Sequence, residues 1–358
     1  MLWDIFCRVI DNHGDLGVCW RLSAELASRG HPVRLWVDQA DALEWMAPQA
    51  HSQVRVRPWQ ASLDANEPMS QVWLEGFGCK LPEHFTQWAA SKHETKQSQS
   101  LPVWLNLEYL SAETYVEKCH KLPSPVMSGP LKGRTKWFYY PGFTPQTGGL
   151  IREAHLRLLT QLKLNDLGPD QSATSLQLAN PVRQTTLFCY EPAALSQALQ
   201  LPSLSGPKHR WRIAHGRGSV AFDLALANLP HLASQIQFEK IPPISQAEFD
   251  TLLAQSELNF VRGEDSLVRA LWAGKAFVWQ IYPQDDGAHG PKLEAFLDWL
   301  EAPESLRQFH RVWNGLSSEK LQEIDLPGWQ ACTLKAQQRL LAQDDLVSQL
   351  LQFVSEKS

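Results

Sequence analysis

Asp11-Asn12-His13-Gly14-Asp15-Leu16-Gly17 is the stretch whose reading decides the fold. It follows the apolar run Trp3-Asp4-Ile5-Phe6-Cys7-Arg8-Val9-Ile10, which reads as a buried strand. It precedes Val18 to Ala27, whose apolar residues recur at helical spacing. Gly30 stands where a helix usually stops, and Pro32-Val33-Arg34-Leu35-Trp36-Val37 reads as a second strand. The result is a βαβ unit whose first turn carries a glycine and two carboxylates. In an open α/β sheet such a turn lies at the carboxyl end of a strand, where ligands bind.

Further strands are expected over 53–57, 71–78, 102–106 and 136–140. A helix is expected from Leu81 into a surface loop over 92–100, and a helical pattern over 148–163. The polar, irregular stretch from Asn165 to Gln184 has the composition of a linker. A second alternation follows it. Strands are expected over 185–190, 211–215, 236–241, 257–261 and 276–282. Between them fall helices over 192–199, 222–228, from the capping box Ser245-Gln246-Ala247-Glu248, and from Leu267 to Trp272 with Gly274 as its stop. The remainder is helical and closes with an amphipathic helix over 342–355. Two alternating halves imply an α/β protein of two Rossmann-like domains facing a cleft, 1–178 and 179–358, with the last helix able to return to the first domain.

Composition narrows the function classes. The chain has 358 residues, 44% hydrophobic and 20% charged, with a net charge of −5. That balance describes an ordinary soluble globular protein, the length is comfortable for two domains, and the charge argues against a nucleic-acid binder, which is more often basic. No apolar run approaches the roughly 20 residues of a membrane span, and no signal-like segment opens the chain. The six cysteines are scattered without a C-x-x-C pair, a pattern of reduced thiols in a cytoplasmic protein rather than of a zinc site. The twelve histidines show no metal-ligand spacing either.

Two constellations carry chemistry. Asp11 and Asp15 flank the glycine turn; one carboxylate can act as a base while the other orients a cationic or hydroxylic substrate. Alternatively, Asp15 is simply a helix N-cap. Arg262-Gly263-Glu264-Asp265-Ser266 also joins a strand to a helix, and helix N-termini bind phosphates. There Arg262 adds charge, Ser266 a hydroxyl, and Glu264 suits a sugar hydroxyl. The alternative is an Arg–Glu pair with Asp265 or Ser266 as a cap. Phe188 and Tyr190 point to one face of their strand, either as a stacking platform or as core. Absent are G-x-G-x-x-G, G-x-x-x-x-G-K-[ST], G-x-S-x-G, H-E-x-x-H and a strict D-x-D. A dinucleotide oxidoreductase is therefore disfavoured, although Asp38 sits where a ribose-binding acid would.

These motifs resemble those of the EarP family of bacterial protein-arginine rhamnosyltransferases. The resemblance rests on Asp11-Asn12-x-Gly14-Asp15-x-Gly17-Val18-x-Trp20-Arg21-Leu22, Trp104 to Ser111, Pro141-Gly142-Phe143, Phe188-Cys189-Tyr190-Glu191, Arg262 to Ser266 and Ile281-Tyr282-Pro283-Gln284. They span nearly the whole chain in the family's order. His13 departs from the family's aromatic residue, and Pro243 from a bulkier one.

The resemblance implies a GT-B glycosyltransferase, with the acceptor side N-terminal and the donor side C-terminal. It implies an inverting, metal-independent transfer of L-rhamnose from dTDP-β-L-rhamnose to one arginine of elongation factor P. No cofactor, nucleic-acid or membrane partner is implied. By the same resemblance Asp15 is the general base, Asp11 its partner and Glu264 the third essential carboxylate. Gly14, Phe188, Tyr190, Gln246, Arg262, Asp265, Ser266 and Tyr282 would bind the donor. The alternatives are a GT-B enzyme for another sugar or a small-molecule acceptor, or a nucleotide-sensing module.

The chemistry agrees. A guanidinium has a pKa above about 12 and delocalised lone pairs, so flanking carboxylates are needed to orient and deprotonate it as the C–N bond forms. On the donor side, a helix N-terminus with Arg262 can stabilise the departing diphosphate.

Overall fold

A computed structural model describes residues 1–10, 13–64, 66–95, 102–154, 156, 182–284 and 287–358. The chain divides into two compact units, Met1–Ala154 with Gln343–Ser358, and His155–Ala342. The expected junction at 178 lies outside the described residues, as does half of the helix expected over 148–163; of the described half, 148–153 are not helical.

The first unit is built on a seven-stranded sheet of order β3-β2-β1-β4-β5-β7-β6. Its strands are β1 (Trp3–Cys7), β2 (Val33–Val37), β3 (Val54–Pro58), β4 (Val72–Gly76), β5 (Val103–Leu107), β6 (Pro123–Pro125) and β7 (Thr135–Tyr139). Every neighbouring pair is parallel except β6–β7. Strands β1, β2, β4 and β5 are buried along their whole length, as parallel strands covered on both faces must be. Alternation then sends Trp3, Ile5 and Cys7 to one hydrophobic cluster and Phe6 to another, which holds Trp36, Trp73, Phe85 and Trp104. Asp4, wholly buried on the same strand, is neutralised by Arg34 of β2 at 2.5 and 2.6 Å. Trp36 Nε1 and Ser70 Oγ also donate to it, at 2.7 and 2.6 Å.

Helix α1 (Gly14–Ser28) starts four residues before the expected Val18, so the glycine turn is shorter than its sequence suggested. Two short helices, α2 (Leu43–Met46) and α4 (Tyr115–Cys119), and the edge strand β6 had no sequence signal. Helix α3 (Glu83–Thr95) reaches into the expected polar loop.

The second unit carries β8 (Arg183–Leu187), β9 (His209–Ala214), β10 (Gln237–Ile241), β11 (Leu258–Arg262) and β12 (Ala276–Gln280). They form an all-parallel sheet of order β10-β9-β8-β11-β12. Its helices are α5 (Leu195–Ala198), α6 (Arg217–Ala227), α7 (Gln246–Gln255), α8 (Gly263–Ala273), α9 (His289–Leu300), α10 (Glu304–Trp313) and α11 (Leu326–Leu341). The expected capping box forms: Ser245 Oγ accepts from Glu248 N, and Glu248 Oε2 accepts from Ser245 N at 2.8 Å.

The final helix, α12 (Leu346–Lys357), belongs to the first unit. Leu346, Val347, Leu350, Phe353 and Val354 enter the cluster that α1 covers. Arg29 at the end of α1 ties it down through Asp345 at 2.7 Å and Ser348 at 2.8 Å. Among the described residues, no helix is long and apolar enough to cross a membrane.

Candidate active site

Among the parallel strands of each sheet the order reverses once, between β1 and β4 in the first unit and between β8 and β11 in the second. The carboxyl ends of the strands at such a reversal diverge, leaving a crevice that side chains from the following loops can line. Of the residues expected to act, Gly14 and Asp15 follow β1, Phe188 and Tyr190 follow β8, and Arg262 to Ser266 lie at the end of β11.

In the first unit, α1 follows β1 and its N-cap is His13, whose side chain makes no capping bond. His13 packs edge-on against Trp45 at 6.2 Å. Asp15 is thus inside the first turn and is not the N-cap, so the capping explanation of that carboxylate falls away. Instead, Asp15 Oδ2 accepts a bond of 3.2 Å from Tyr109 Oη, just beyond β5. Tyr109 stacks on Phe77, just beyond β4, with ring centroids 4.9 Å apart. Phe77 holds φ +57°, a left-handed backbone that costs a side-chain-bearing residue energy and recurs at functional sites. Among the described residues, Gly14 has open space where a Cβ would stand. Asp11 lies outside the described residues.

A second carboxylate follows on the same edge. Asn106 Nδ2 donates to Glu108 Oε1, and burial raises the Glu108 carboxyl above the usual carboxylate range against the pull of Lys136. Lys136 itself is bonded to the buried Glu75 at 2.7 Å. Burial likewise lifts Glu75, with Lys136 and the Leu81 amide opposing. Neither Tyr109 nor Glu108 was singled out as a site residue from sequence. Their signal is position: both directly follow a wholly buried strand.

In the second unit, Phe188 and Tyr190 leave β8 and Arg262 ends β11. The Arg262 guanidinium carbon lies 4.7 Å from the Phe188 ring centroid and 4.6 Å from that of Tyr190, a cation–π arrangement. Burial lowers its pKa, and it donates to Cys189 O at 3.4 Å. Phe188 meets Phe249 of α7 edge-on at 5.2 Å, one turn from Gln246 at the start of that helix. Tyr190 N donates to Gln280 Oε1 at 2.8 Å, and the Tyr190 ring meets Tyr282 at 5.6 Å. Phe188, Tyr190, Arg262 and Tyr282 therefore form one cluster, with Gln246 beside it.

Helix α8 begins at Gly263, not at Leu267, so Glu264, Asp265 and Ser266 occupy its first turn. Gly263 needs φ +67°, and its carbonyl accepts from Trp279 Nε1 at 2.9 Å. The N-cap Arg262 makes no side-chain capping bond, which leaves first-turn amides uncapped by that side chain. Ser266 is buried, and its hydroxyl donates back to Arg262 O. That hydroxyl is thereby engaged within the helix. Glu264 pairs with Lys292 of α9 at 2.9 Å, a partner 28 residues downstream with no motif of its own. Strand β12, which ends at Gln280, and the segment after it that carries Tyr282 are pinned from α10 and its C-cap: Trp279 N donates to His310 Nε2, and Ile281 N to Asn314 Oδ1, each at 2.9 Å. Among the described residues, no three His, Cys, Asp or Glu side chains converge as metal ligands.

Two α/β units, each on a largely parallel sheet and each carrying its polar and aromatic cluster where the strand order reverses, define a glycosyltransferase of the GT-B class. The fold is shared with the solved MurG of Acinetobacter baumannii, at a TM-score of 0.51 and 10% identity over 99% of both chains. It is shared more closely with a structure described as the basis for EarP-mediated arginine glycosylation of translation elongation factor EF-P. There the TM-score is 0.59 and the identity 25%, again over 99% of both chains. A protein-arginine rhamnosyltransferase of Pseudomonas aeruginosa is 36% identical, covering 99% of each chain. The family described as Elongation-Factor P (EF-P) rhamnosyltransferase EarP matches residues 3–355. The chain belongs to the EarP family, and it is an enzyme, a protein-arginine rhamnosyltransferase.

Proposed function

We propose that the enzyme transfers L-rhamnose from dTDP-β-L-rhamnose to one arginine of elongation factor P, with inversion at the sugar carbon and without a metal. The observation that carries this reading is the division of chemistry between the units: carboxylates with an aromatic pair in the first, arginine with aromatic rings beside a helix N-terminus in the second.

In the first unit, Asp15 and Asp11 take the acceptor guanidinium, with Tyr109 steadying Asp15. The guanidinium nitrogen forms the C–N bond to the sugar carbon while the bond from that carbon to the diphosphate oxygen breaks. The nitrogen's proton passes to the Asp15 carboxylate, and dTDP departs. In the second unit, Phe188, Tyr190 and Gln246 hold the thymidine. Arg262, the first-turn amides of α8 with Asp265 and Ser266, and Tyr282 meet the diphosphate, where negative charge grows as the bond breaks. Glu264 orients the sugar through its hydroxyls, its own charge balanced by Lys292. Gly14, with no Cβ, leaves room for the sugar to approach α1. An acceptor that is a translation factor places the reaction in the cytoplasm, in keeping with six free cysteines.

The test is direct. The enzyme is incubated with dTDP-rhamnose and elongation factor P, and the acceptor is analysed by intact-mass and peptide mass spectrometry. A single arginine gaining one deoxyhexosyl group is the expected result. An unmodified acceptor, or a product formed equally well from another nucleotide sugar, overturns the donor and acceptor assignment.

A further inference from the structure

A second guanidinium stands beside Arg262. Arg217 opens α6 immediately after Gly216, whose φ of +108° swings the chain out of β9. Its guanidinium carbon lies 5.2 Å from the Tyr190 ring centroid, the ring that Arg262 approaches at 4.6 Å. The convergence follows from topology. Strands β9, β8 and β11 are parallel neighbours, so the residues after their carboxyl ends (Arg217, Tyr190 with Glu191, and Arg262) share one edge of the sheet.

Two like charges on one ring repel, and Arg217 contributes to lowering the Arg262 pKa, after burial itself. Arg217 is held by a bidentate pair with Glu191, Nε to Oε1 at 2.6 Å and Nη2 to Oε2 at 2.5 Å. Both side chains of that pair are about half exposed, 50% and 49%. The pair is well oriented but half exposed, so water screens both charges and the arginine can exchange Glu191 for a more highly charged anion. A diphosphate is such an anion, since the planar guanidinium fork matches phosphate oxygens two at a time.

We propose that Arg217 is a second cation of the donor site, parked on Glu191 in the free enzyme and transferred to the diphosphate when the nucleotide sugar binds. This role rests on the reading of the second unit as the dTDP-sugar site. Glu191, left behind, is solvated at its exposed position. Arg262, more buried and stacked on two rings, stays in place; Arg217 is the movable partner that follows the charge onto the leaving group.

The experiment titrates dTDP by calorimetry and thymidine by ligand-observed NMR against the wild-type enzyme, Arg217→Ala, Arg217→Lys and Glu191→Gln. Arg217→Ala is expected to lower dTDP affinity on the order of 10- to 100-fold, the loss of one charge-assisted contact. Thymidine binding should be unchanged, which also shows that the variant is folded. Arg217→Lys should recover part of the loss, and Glu191→Gln should bind dTDP as tightly as wild type or a few-fold tighter. Equal dTDP binding by Arg217→Ala and wild type overturns the proposal. So does a parallel loss of dTDP and thymidine, which would mark Arg217 as a prop for Tyr190. A wild-type enzyme that binds neither ligand overturns the donor reading itself, and this role with it.

Discussion

Asp15→Asn separates a catalytic carboxylate from a structural one because the two roles differ in scale. Asp15 lies in the first turn of α1, two residues after the N-cap His13. The negative charge that is removed interacts with the helix N-terminus, worth about 0.3–1 kcal/mol at a partly exposed position. The Tyr109 hydroxyl still finds an acceptor in the asparagine amide oxygen. A melting temperature lower by only a few degrees is therefore expected. Catalysis loses far more: a positioned general base contributes about 10²–10⁴ in rate, roughly 3–5 kcal/mol. The assay measures transfer to elongation factor P at saturating donor by mass spectrometry, with dTDP affinity by calorimetry and unfolding by thermal melt. Transfer at least 100-fold slower, with dTDP affinity and melting nearly unchanged, is expected. A rate within about threefold of wild type would refute the assignment of Asp15 as base. A rate loss that tracks a large drop in melting temperature would refute the claim that its role is chemical.

Two further outcomes follow from the packing. Asp4→Ala leaves the buried Arg34 facing Glu67 without its principal partner and frees the Trp36 and Ser70 donors. Breaking such a pair costs about 3–5 kcal/mol, read as a lower urea midpoint; a change below about 1 kcal/mol would contradict the network. His310 accepts from Trp279 N, is fully buried, and burial lowers its pKa to about 4. The unfolded imidazole, at about 6.5, takes up a proton first as pH falls. The stability that the neutral ring supports is thus complete above about 6.5 and lost progressively toward 4, up to about 3 kcal/mol. Urea midpoints at pH 7 and pH 5 should differ less in His310→Gln than in wild type. Equal pH slopes would remove His310 from the account.

The βαβ reading around Gly14, the second alternation and the capping box at Ser245 were legible because they depend on local periodicity and local hydrogen bonds. Helix starts were less so. Arg262 to Ser266 looks polar and loop-like, yet its first-turn acids suit a helix N-terminus, and α8 begins at Gly263. Likewise α1 begins at Gly14, because a polar first turn breaks the apolar period before it breaks the helix. Short elements such as α2, α4 and β6 are held by the sheet they pack on and leave no period to read.

Sequence alone determined the two-unit parallel architecture, the family and the residue types at each strand's carboxyl end, since buried strands and motifs are properties of contiguous stretches. Tertiary structure alone decided which side chains meet. Tyr109 bonds an aspartate 94 positions earlier, Lys292 pairs with Glu264, and His310 and Asn314 pin β12 and the segment after it that carries Tyr282. It also returned α12 to the first unit through Arg29 and Asp345, 316 positions apart. The physical reason is strand order. Parallel crossovers bring distant strand ends to one sheet edge, and that adjacency is set by the packing of the whole sheet.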